Sequence, residues 1–397
     1  MNSEAEDMVT PMFNPNYPNF RVGRNALLST IERTGASSTY TGQGVVIAFI
    51  DSGFFPHPDL SGRILLHVDA STNHVLEQPA IFESSDLSWH GQMTSVIACG
   101  DGSSSQGKYR GIASGANLIL VKVSTPRGQI KEADILRGLR WVLDTYKRLN
   151  IRVVNISLGG DFISTNANHP LHKSIRKLTR EGVTVVVAAG NRNVPHLLPP
   201  ASAAEAITVG GVDDQNSLDQ SHWKLYHHNY GQAYDGSPKP DLVAPANWLP
   251  SPIMPGSSVE REARWLAPLL HINNTSQITD LLRQGSGDLG LLQTEIAANE
   301  QFYNMIQSRI HTHKLIDEHH QHVDGTSVAA PIVSAVIAQM IEANPGLTPR
   351  QIRAILTGTA TRLPNYPLEQ QGSGILNAGA AVQAALQSPH RTGKNTI

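Results

Sequence analysis

The chain has 397 residues, of which 40% are hydrophobic and 16% charged, a composition typical of a globular protein with a large core. Its formal net charge of -2 provides no basic field that would attract nucleic acid or an acidic membrane surface, so we expect neither as a partner. The single cysteine, Cys99, excludes an intrachain disulfide.

The first 25 residues are polar and contain the stretch TPMFNPNYPNF, which predicts an extended arm lying on the body of the protein. They lack the basic segment and the apolar run of a signal peptide, and no apolar run elsewhere approaches membrane-spanning length. The sequence therefore predicts a cytoplasmic protein made of an N-terminal arm (1–25), one domain (26–387) and a flexible tail (388–397).

Short apolar runs without alternation predict strands that are covered on both faces, as in a parallel sheet. The runs lie at 44–50, 117–123, 152–158, 183–189 and 206–212. Between the second and third runs, Ile135, Leu139, Val142 and Tyr146 share one helical stripe. The pattern predicts an α/β fold with a mostly parallel sheet and crossover helices.

Two candidate catalytic residues follow the first strand. Asp51 stands at the carboxyl end of that strand, where ligands bind in open α/β sheets, although an aspartate before Ser-Gly is equally typical of a turn cap. His90 precedes Gly91, which would allow another chain or a substrate to approach the imidazole. A lone histidine at a helix start is more often structural.

Residues 247–323 interrupt the α/β alternation. A Pro/Ser-rich loop is followed by the amphipathic stretches REARWLAPLLHI, ITDLLRQ and LLQTEIAANEQFYNMIQSRIH, which predict a helical insertion and a candidate site for a regulatory partner. The segment HTHKLIDEHHQH holds five histidines, a composition that suits a transition metal but also an ordinary solvated segment, and we predict no metal site.

The stretch HVDGTSVAAP places Ser327 at the start of a helix that is apolar nearly all round and therefore buried. The N-terminus of such a helix offers free N–H groups and a partial positive charge. Pro331 is expected in the first turn, where its missing donor costs little.

Together these residues have the order of one of the recurring nucleophilic triads. A serine needs a histidine as general base, and an aspartate to hold the imidazole tautomer, before it can attack a carbonyl. Asn191, just beyond the strand at 183–189, has a side-chain amide that can donate to an oxyanion, although an asparagine in a turn is the simpler interpretation of that residue alone.

With the motifs AFIDSG, HG, NISLGG, AAGN, KPDLVAPA and GTSVAAP in this order, the chain resembles the subtilisin-like serine endopeptidases, the subtilase or S8 family. The resemblance covers residues 25–246 and 323–387. It implies a three-layer α/β/α fold and the hydrolysis of peptide bonds, in protein or peptide substrates, through an acyl-enzyme.

The resemblance also implies a role for each matching residue. It assigns Asp51, His90 and Ser327 to the catalytic triad, and Asn191 with the Ser327 backbone N–H to the oxyanion hole. Substrate-binding positions implied by the resemblance are Ser157, Leu158, Gly159, Gly160, Ala189 and Gly190.

The sequence departs from the family in three places. Gln92 and Met93 follow the HG motif where Thr-His is usual, and Val328 replaces a common methionine. The calcium loop of many members is not evident in CGDGSSSQGKYRG, so we expect no cofactor, with calcium possible but unsupported. The competing interpretation is a catalytically silent or gated scaffold of the same fold. A serine-carboxyl peptidase is disfavoured because it would have glutamate and aspartate in place of His90 and Asn191.

Two further hypotheses concern the surroundings of the site. Arg192, next to Asn191, suggests a mild preference for acidic or neutral residues before the cleaved bond. The prolines of the arm suggest that it crosses the active site and resists cleavage, since proline fixes φ and lacks an N–H. Removal of residues 1–22 is then expected to raise activity.

Overall fold

A computed structural model describes residues 11–19, 27–78, 86–125, 127–296 and 299–389. The strands are β1 Val46–Asp51, β2 Ile64–Asp69, β3 Leu76–Gln78, β4 Asn117–Lys122, β5 Ile151–Ile156, β6 Thr184–Ala188, β7 Ile207–Asp213, β8 Lys224–Leu225, β9 Gly231–Gln232, β10 Pro238–Lys239, β11 Leu242–Pro245, β12 Leu249–Pro252 and β13 His320–Val323. The helices are α1 Thr30–Thr34, α2 Asp86–Cys99, α3 Glu132–Thr145, α4 Pro170–Arg180, α5 Ser258–Leu266, α6 Thr275–Gln284, α7 Ser286–Leu289, α8 Glu300–Thr312, α9 Thr326–Ala343, α10 Pro349–Thr359, α11 Leu368–Gln371 and α12 Ala378–Gln387.

The central sheet has nine strands in the order β11, β7, β6, β5, β1, β4, β2, β3, with β8 also paired to β7. The pairs from β11 to β2 along this path are parallel, and β3 and β8 are antiparallel additions. All five predicted strands are present, so the prediction of a mostly parallel sheet in a three-layer α/β/α fold is confirmed.

Both faces of the sheet are buried, which explains why its strands are apolar without alternation. In β1, Ile47 and Phe49 face the core that contains α2 and α9, whereas Ala48 and Ile50 face the core that contains α3 and α4. Successive residues of a strand point to opposite faces, so the five positions of β1 before Asp51 all need apolar side chains. The stripe predicted on α3 is also confirmed, with Ile135, Leu139 and Val142 buried and Tyr146 packed at its end.

The strand order brings the candidate site together at one edge. The neighbouring parallel strands β1, β5 and β6 all have their carboxyl ends at this edge. Strand β1 lies between β4 and β5, so the strands that follow it in the chain are added first on one side of β1 and then on the other. Such a reversal of strand order opens a crevice beyond the carboxyl ends of the strands. Helix α9 packs across β5, β6 and β7.

Helix α9 is the central core helix. It is the one helix among the described residues that is long and apolar enough to cross a membrane, but 83% of its apolar window is buried inside the protein. Its burial against the sheet therefore accounts for its hydrophobicity without a membrane.

The insertion is largely helical, as predicted, and has its own core. Leu266, Ile278, Phe302, Ile306 and Ile310 belong to a cluster of buried side chains supplied almost entirely by α5 to α8 and the segments between them. The expected Pro/Ser-rich loop, however, is a strand. Strands β12 and β13 pair antiparallel and form a two-stranded stalk that carries the helices.

The described part of the N-terminal arm packs on the insertion. Phe13 is buried in the core of the insertion, with its ring edge-on to Tyr303 at 6.0 Å between centroids. The backbone N–H of Asn14 donates to Gln307 at 3.0 Å, and the N–H of Met12 donates to the Ile272 carbonyl at 3.3 Å. The described part of the arm is therefore bound to the helical insertion.

Parts of both predicted terminal segments lie outside the described residues. These are 1–10 and 20–25 of the arm and 390–397 of the predicted flexible tail. The hypothesis that the arm crosses the active site stays a prediction, and so does the flexibility of the tail.

A buried ion pair ties helix α1 to the base of the insertion. The Arg33 guanidinium donates to the Asp214 carboxylate at 2.9 Å, and both side chains are fully buried. It also donates to the backbone carbonyls of Asn247 at 2.9 Å and Trp248 at 2.7 Å, where the chain enters the insertion. Arg33 thus satisfies a carboxylate and two carbonyls in the interior.

We expect Arg33→Met to lower the free energy of unfolding by about 3–5 kcal/mol, because breaking a buried pair leaves an uncompensated charge on Asp214. Urea denaturation followed by circular dichroism measures the effect. The double variant Arg33→Met/Asp214→Asn should regain part of the loss, since it removes the stranded charge. A loss below about 1 kcal/mol in the single variant, the value of an exposed pair, would contradict the proposed role.

Candidate active site

Asp51 provides a buried carboxylate whose two oxygens both have partners. Asp51 is the last residue of β1 and is fully buried. Its Oδ1 accepts the Ser52 backbone N–H at 2.7 Å and lies 2.6 Å from His90 Nδ1, and its Oδ2 accepts the Thr94 hydroxyl at 3.1 Å. Both oxygens are thus held by hydrogen bonds, and Oδ1 is directed at the imidazole.

His90 is oriented by Asp51. With Nδ1 donating to the carboxylate, the neutral ring has its lone pair on Nε2, and the side chain remains 27% exposed. Burial lowers the pKa of His90, but the charge of Asp51 and its hydrogen bond outweigh burial and raise the pKa above its ordinary value. The ring is thus suited to accept a proton at Nε2 and to be stabilised once it has done so.

Gly91 allows helix α2 to reach the end of β1. A Cβ at Gly91 would lie 2.0 Å from the Gly53 backbone oxygen, so no other residue fits without movement of the backbone. The close approach predicted for Gly91 is therefore made by the loop after β1, and not by a substrate. This contact brings His90 within hydrogen-bonding distance of Asp51.

Ser327 is the second residue of α9, where its backbone N–H has no partner within the helix. Its hydroxyl donates to the Ser157 carbonyl at 3.5 Å, and the Ser157 hydroxyl donates back to the Ser327 carbonyl at 3.2 Å. The hydrogen bonds of the described residues include none between Ser327 and His90. The two residues are held by neighbouring elements of the same edge, α9 and α2, which pack on each other.

Pro331 has a different place from the one expected. It is the sixth residue of α9, beyond the first turn, so its missing N–H leaves the carbonyl of Ser327, four residues earlier, without its helical donor. The Ser157 hydroxyl donates to that carbonyl. Pro331 therefore makes room for a bond that ties the start of α9 to the end of β5.

Asn191 is held with its amide group oriented. Its Oδ1 accepts the backbone N–H of Thr326 at 2.9 Å and the Thr326 hydroxyl at 2.8 Å, while the Thr326 hydroxyl accepts the Gly190 N–H at 3.0 Å. The opposite end of the amide, Nδ2, lies beside Gly325, where an added Cβ would be 3.2 Å away. Gly190 needs its φ of 97°, which side-chain-bearing residues rarely adopt.

A pocket of about 200 Å³ adjoins Ser327. Five of the six substrate-binding residues expected from the sequence line it, namely Ser157, Leu158, Gly159, Ala189 and Gly190. Gly160 does not, because its N–H donates to the Pro199 carbonyl at 2.6 Å. The remaining lining residues are Ala188, Asn191, Leu198, Ala201, Asn229, Thr326 and Ser327. The pocket is therefore mainly apolar and carries no charged side chain among its lining residues.

Leu198, Ala201 and Asn229 were missed by the sequence analysis. They lie in loops after β6 and before β9, and their only signal is the long stretch between the predicted strands and the KPDLVAPA motif. Arg192 is exposed and is not among the lining residues, and its backbone N–H donates to Asn229 at 2.8 Å. The basis for an Arg192-directed preference is thus weaker than the sequence suggested.

A second pocket, of about 410 Å³, is lined by polar and aromatic side chains and includes the carboxylates of Asp213 and Asp324. Asp324 already has a partner, since the Lys314 ammonium lies 2.5 Å from its Oδ1. Ser327 and His90 do not line this pocket. The smaller pocket is therefore the one that adjoins the candidate nucleophile.

The loop after α2 is held by a carboxylate from another segment. The Asp59 carboxylate accepts the hydroxyls of Ser103 and Ser104, at 2.9 and 2.6 Å, and the Ser104 N–H at 2.9 Å. Burial alone would raise the pKa of Asp59, but these hydrogen bonds lower it below its usual range. Serine donors thus engage Oδ1 of this carboxylate. Among the described residues no group of three or more His, Cys, Asp or Glu side chains is placed to hold a metal, the histidines of 311–322 included.

The base of the insertion contacts Trp89 and Gln92, which stand before and after His90 in helix α2. Gln92 donates to the Pro252 carbonyl at 3.4 Å. With the Gln321 amide turned so that its oxygen faces Trp89, that oxygen accepts the indole N–H at 3.0 Å. Pro252 and Gln321 belong to the stalk strands β12 and β13. The stalk therefore touches the helix that carries the histidine and leads within four residues into Ser327.

Comparison with known proteins identifies the family of this chain. A family model described as the subtilase family matches residues 42–374. The serine protease AprX of Bacillus subtilis is 28% identical over 353 residues, which cover 87% of this chain and 67% of AprX. Subtilisin Savinase of Lederbergia lenta is 26% identical over 344 residues, which cover 86% of this chain and 92% of Savinase.

Two solved structures share the fold. Fervidolysin from Fervidobacterium pennivorans has a TM-score of 0.62 at 21% identity, covering 97% of this chain and 50% of that one. A protease from Pseudoalteromonas arctica has a TM-score of 0.58 at 21% identity, covering 95% of this chain and all (100%) of that one.

We expect the pKa of His90 to lie above its ordinary value of 6.5 and to fall below 6.5 in Asp51→Asn, because burial then acts on the ring without the opposing charge. Titration of the His90 ring by NMR measures both values. Asp213→Asn, which removes a carboxylate that does not contact His90, is the matched control and should leave the titration unchanged. An unaltered pKa in Asp51→Asn would show that Asp51 does not set it.

Proposed function

Because the chain belongs to the subtilase family of serine endopeptidases, we propose that it hydrolyses peptide bonds through an acyl-enzyme formed on Ser327. The observation that carries the proposal is the 2.6 Å hydrogen bond between Asp51 and His90, which leaves His90 Nε2 as the available base. In this proposal Asp51, His90 and Ser327 form the catalytic triad, and Asn191 contributes to the oxyanion hole.

The first half of the reaction forms the acyl-enzyme. An extended peptide pairs with the edge at Ser157–Gly159, and the side chain before the scissile bond enters the pocket of about 200 Å³. His90 Nε2 takes the proton of the Ser327 hydroxyl as its oxygen attacks the carbonyl carbon. The imidazolium then gives this proton to the leaving amine, and the C–N bond breaks.

Water completes the cycle. His90 takes a proton from a water molecule whose oxygen attacks the acyl carbon, and then returns that proton to Ser327 as the ester bond breaks. In each half of the reaction the developing oxyanion is stabilised by Asn191 Nδ2 and the Ser327 backbone N–H. The contacts of Thr326 with Asn191 support this role, since they orient the amide before substrate binds.

The mainly apolar pocket supports a preference for an uncharged, apolar residue before the cleaved bond. The lining offers aliphatic groups from Leu158, Leu198 and several alanines, and no charged side chain to pair with a basic or acidic one. Burial of an unpaired charge in such a pocket is costly.

The contacts of the stalk with Trp89 and Gln92 support regulation through the insertion, since a partner bound there would act on the helix of His90.

Labelling with a fluorophosphonate probe tests the nucleophile. We expect the native protein to be labelled and Ser327→Ala not to be, because only a serine activated by a base reacts with the probe. Ser308→Ala, which removes an exposed serine of the insertion, is the matched control and should be labelled like the native protein. Failure of the native, folded protein to label or to cleave any peptide library would favour the catalytically silent scaffold.

We expect Asn191→Ala to lower kcat by about a hundred- to a thousandfold with little change in KM, the loss that removal of one oxyanion donor causes in a subtilisin. The reason is that the amide of Asn191 interacts with charge that exists only in the transition state. Steady-state hydrolysis of a peptide substrate measures both constants. Asn273→Ala, which removes an exposed asparagine of the insertion, serves as the control. A rise in KM of the same size with kcat unchanged would assign Asn191 to substrate binding instead.

A further inference from the structure

Two consecutive residues beyond the candidate substrate edge have large apolar side chains exposed to solvent. Phe162 is 78% exposed and Ile163 is 56% exposed, and Phe162 is the most exposed large hydrophobic residue among those the structure describes. Single exposed apolar residues are common on protein surfaces, but an exposed aromatic beside an exposed aliphatic residue forms a patch. Packing within the described part of the chain gives this patch no role.

The loop that presents the patch is anchored on its N-terminal side. The Gly160 N–H donates to the Pro199 carbonyl at 2.6 Å, and the Asp161 carboxylate accepts the backbone N–H of Glu132 at 3.1 Å. Phe162 and Ile163 follow directly. The patch therefore lies on a loop that is held against α3 and the Pro199 segment. These contacts fix the position of the patch relative to β5.

The patch lies along the same stretch of chain as the substrate edge. Ser157 is beside the nucleophile, because its carbonyl accepts the Ser327 hydroxyl, and Leu158 and Gly159 line the pocket. Paired extended chains advance together at roughly 3.3 Å per residue, so a peptide that follows this edge away from Ser327 passes Gly159 first and the patch later. Phe162 is the third residue after Gly159, and the chain bends at Asp161 and Phe162, beyond the extended stretch. The patch therefore lies where a peptide paired with Ser157–Gly159 leaves this edge, on the side of the residues before the scissile bond.

We propose that Phe162 and Ile163 form a remote apolar subsite that contacts substrate residues about five or six positions before the scissile bond and selects aliphatic or aromatic side chains there. This inference rests on the proposed function and adds a substrate class to it. Peptides with apolar residues both at the cleaved bond and that far upstream are typical of unfolded chains, since folded proteins bury such residues.

The charges near the loop sharpen the preference. Asp161 precedes the patch and is exposed, and the Glu132 carboxylate lies next to Gly160, where an added Cβ would be 2.7 Å from it. Glu132 is paired with His169 at 2.7 Å, whereas Asp161 is exposed and its carboxylate accepts the Glu132 backbone N–H. Like charges repel, so an acidic substrate residue at this subsite is disfavoured relative to an apolar one.

Two peptide substrates that differ at one upstream residue test the subsite. Both carry leucine before the cleaved bond, and the fifth and sixth residues before that bond are leucine in one peptide and serine in the other. We expect Phe162→Ser/Ile163→Ser to reduce the leucine-to-serine ratio of kcat/KM roughly tenfold, within the range that a lost apolar contact costs in discrimination. Leu218→Ser, which removes a leucine 61% exposed elsewhere on the surface, is the matched control and should keep the native ratio.

Binding to an inactive protein separates this inference from the proposed function. In the Ser327→Ala background, fluorescence anisotropy of the same labelled peptides should show the leucine peptide binding roughly tenfold more weakly after Phe162→Ser/Ile163→Ser. If the native protein cleaves no peptide but this difference in binding persists, the proposed function fails and the subsite stands. If cleavage occurs and neither the ratio nor the binding changes, the subsite is overturned and the function stands.

Discussion

The contact between Asp51 and His90 is the constraint on which the arrangement of the site depends. A buried carboxylate is costly unless its oxygens are paired, and Asp51 is paired with a backbone N–H, a threonine hydroxyl and the imidazole. For the imidazole to arrive, helix α2 must approach the end of β1 so closely that no side chain fits at Gly91. In the same helix, Trp89 and Gln92 contact the stalk, and the second stalk strand, β13, leads into α9.

The elements of the sheet could be predicted from sequence because parallel strands covered on both faces are mostly apolar and do not alternate with polar residues. Strands β1 and β4 to β7 all have this pattern, and the stripe of α3 follows from burial on one face. The stalk strands could not be predicted, because Leu249–Pro252 and His320–Val323 are short, rich in proline or histidine, and stable only through each other. Their pairing joins residues far apart in the chain, which no local pattern reveals.

The site was predictable to the extent that its chemistry lies in short motifs. Asp51, His90, Asn191 and Ser327 each stand near the end of a strand or near the start of a helix, where sequence and position agree. Tertiary contacts were not predictable in the same way. Gly160 is engaged by Pro199, and Leu198 enters the pocket from a loop, so both depend on how distant segments pack. Pro331 was expected in the first turn of α9 but lies beyond it, where it leaves the Ser327 carbonyl free to accept the Ser157 hydroxyl. That contact joins distant segments and has no local sequence signal.

The stalk has a consequence for how this protein can have arisen. Leu249 and Val323 are register partners, so the segment of helices leaves and re-enters the α/β body at adjacent points of one ribbon. The helices also have a core of their own, so the segment forms a module that is joined to the body through the two stalk strands. A short hairpin turn could close that connection. Phe13 is the exception, since the arm contributes it to the module from the opposite end of the chain. Loss of the arm would therefore uncover apolar surface of the module, and loss of the module would expose Phe13.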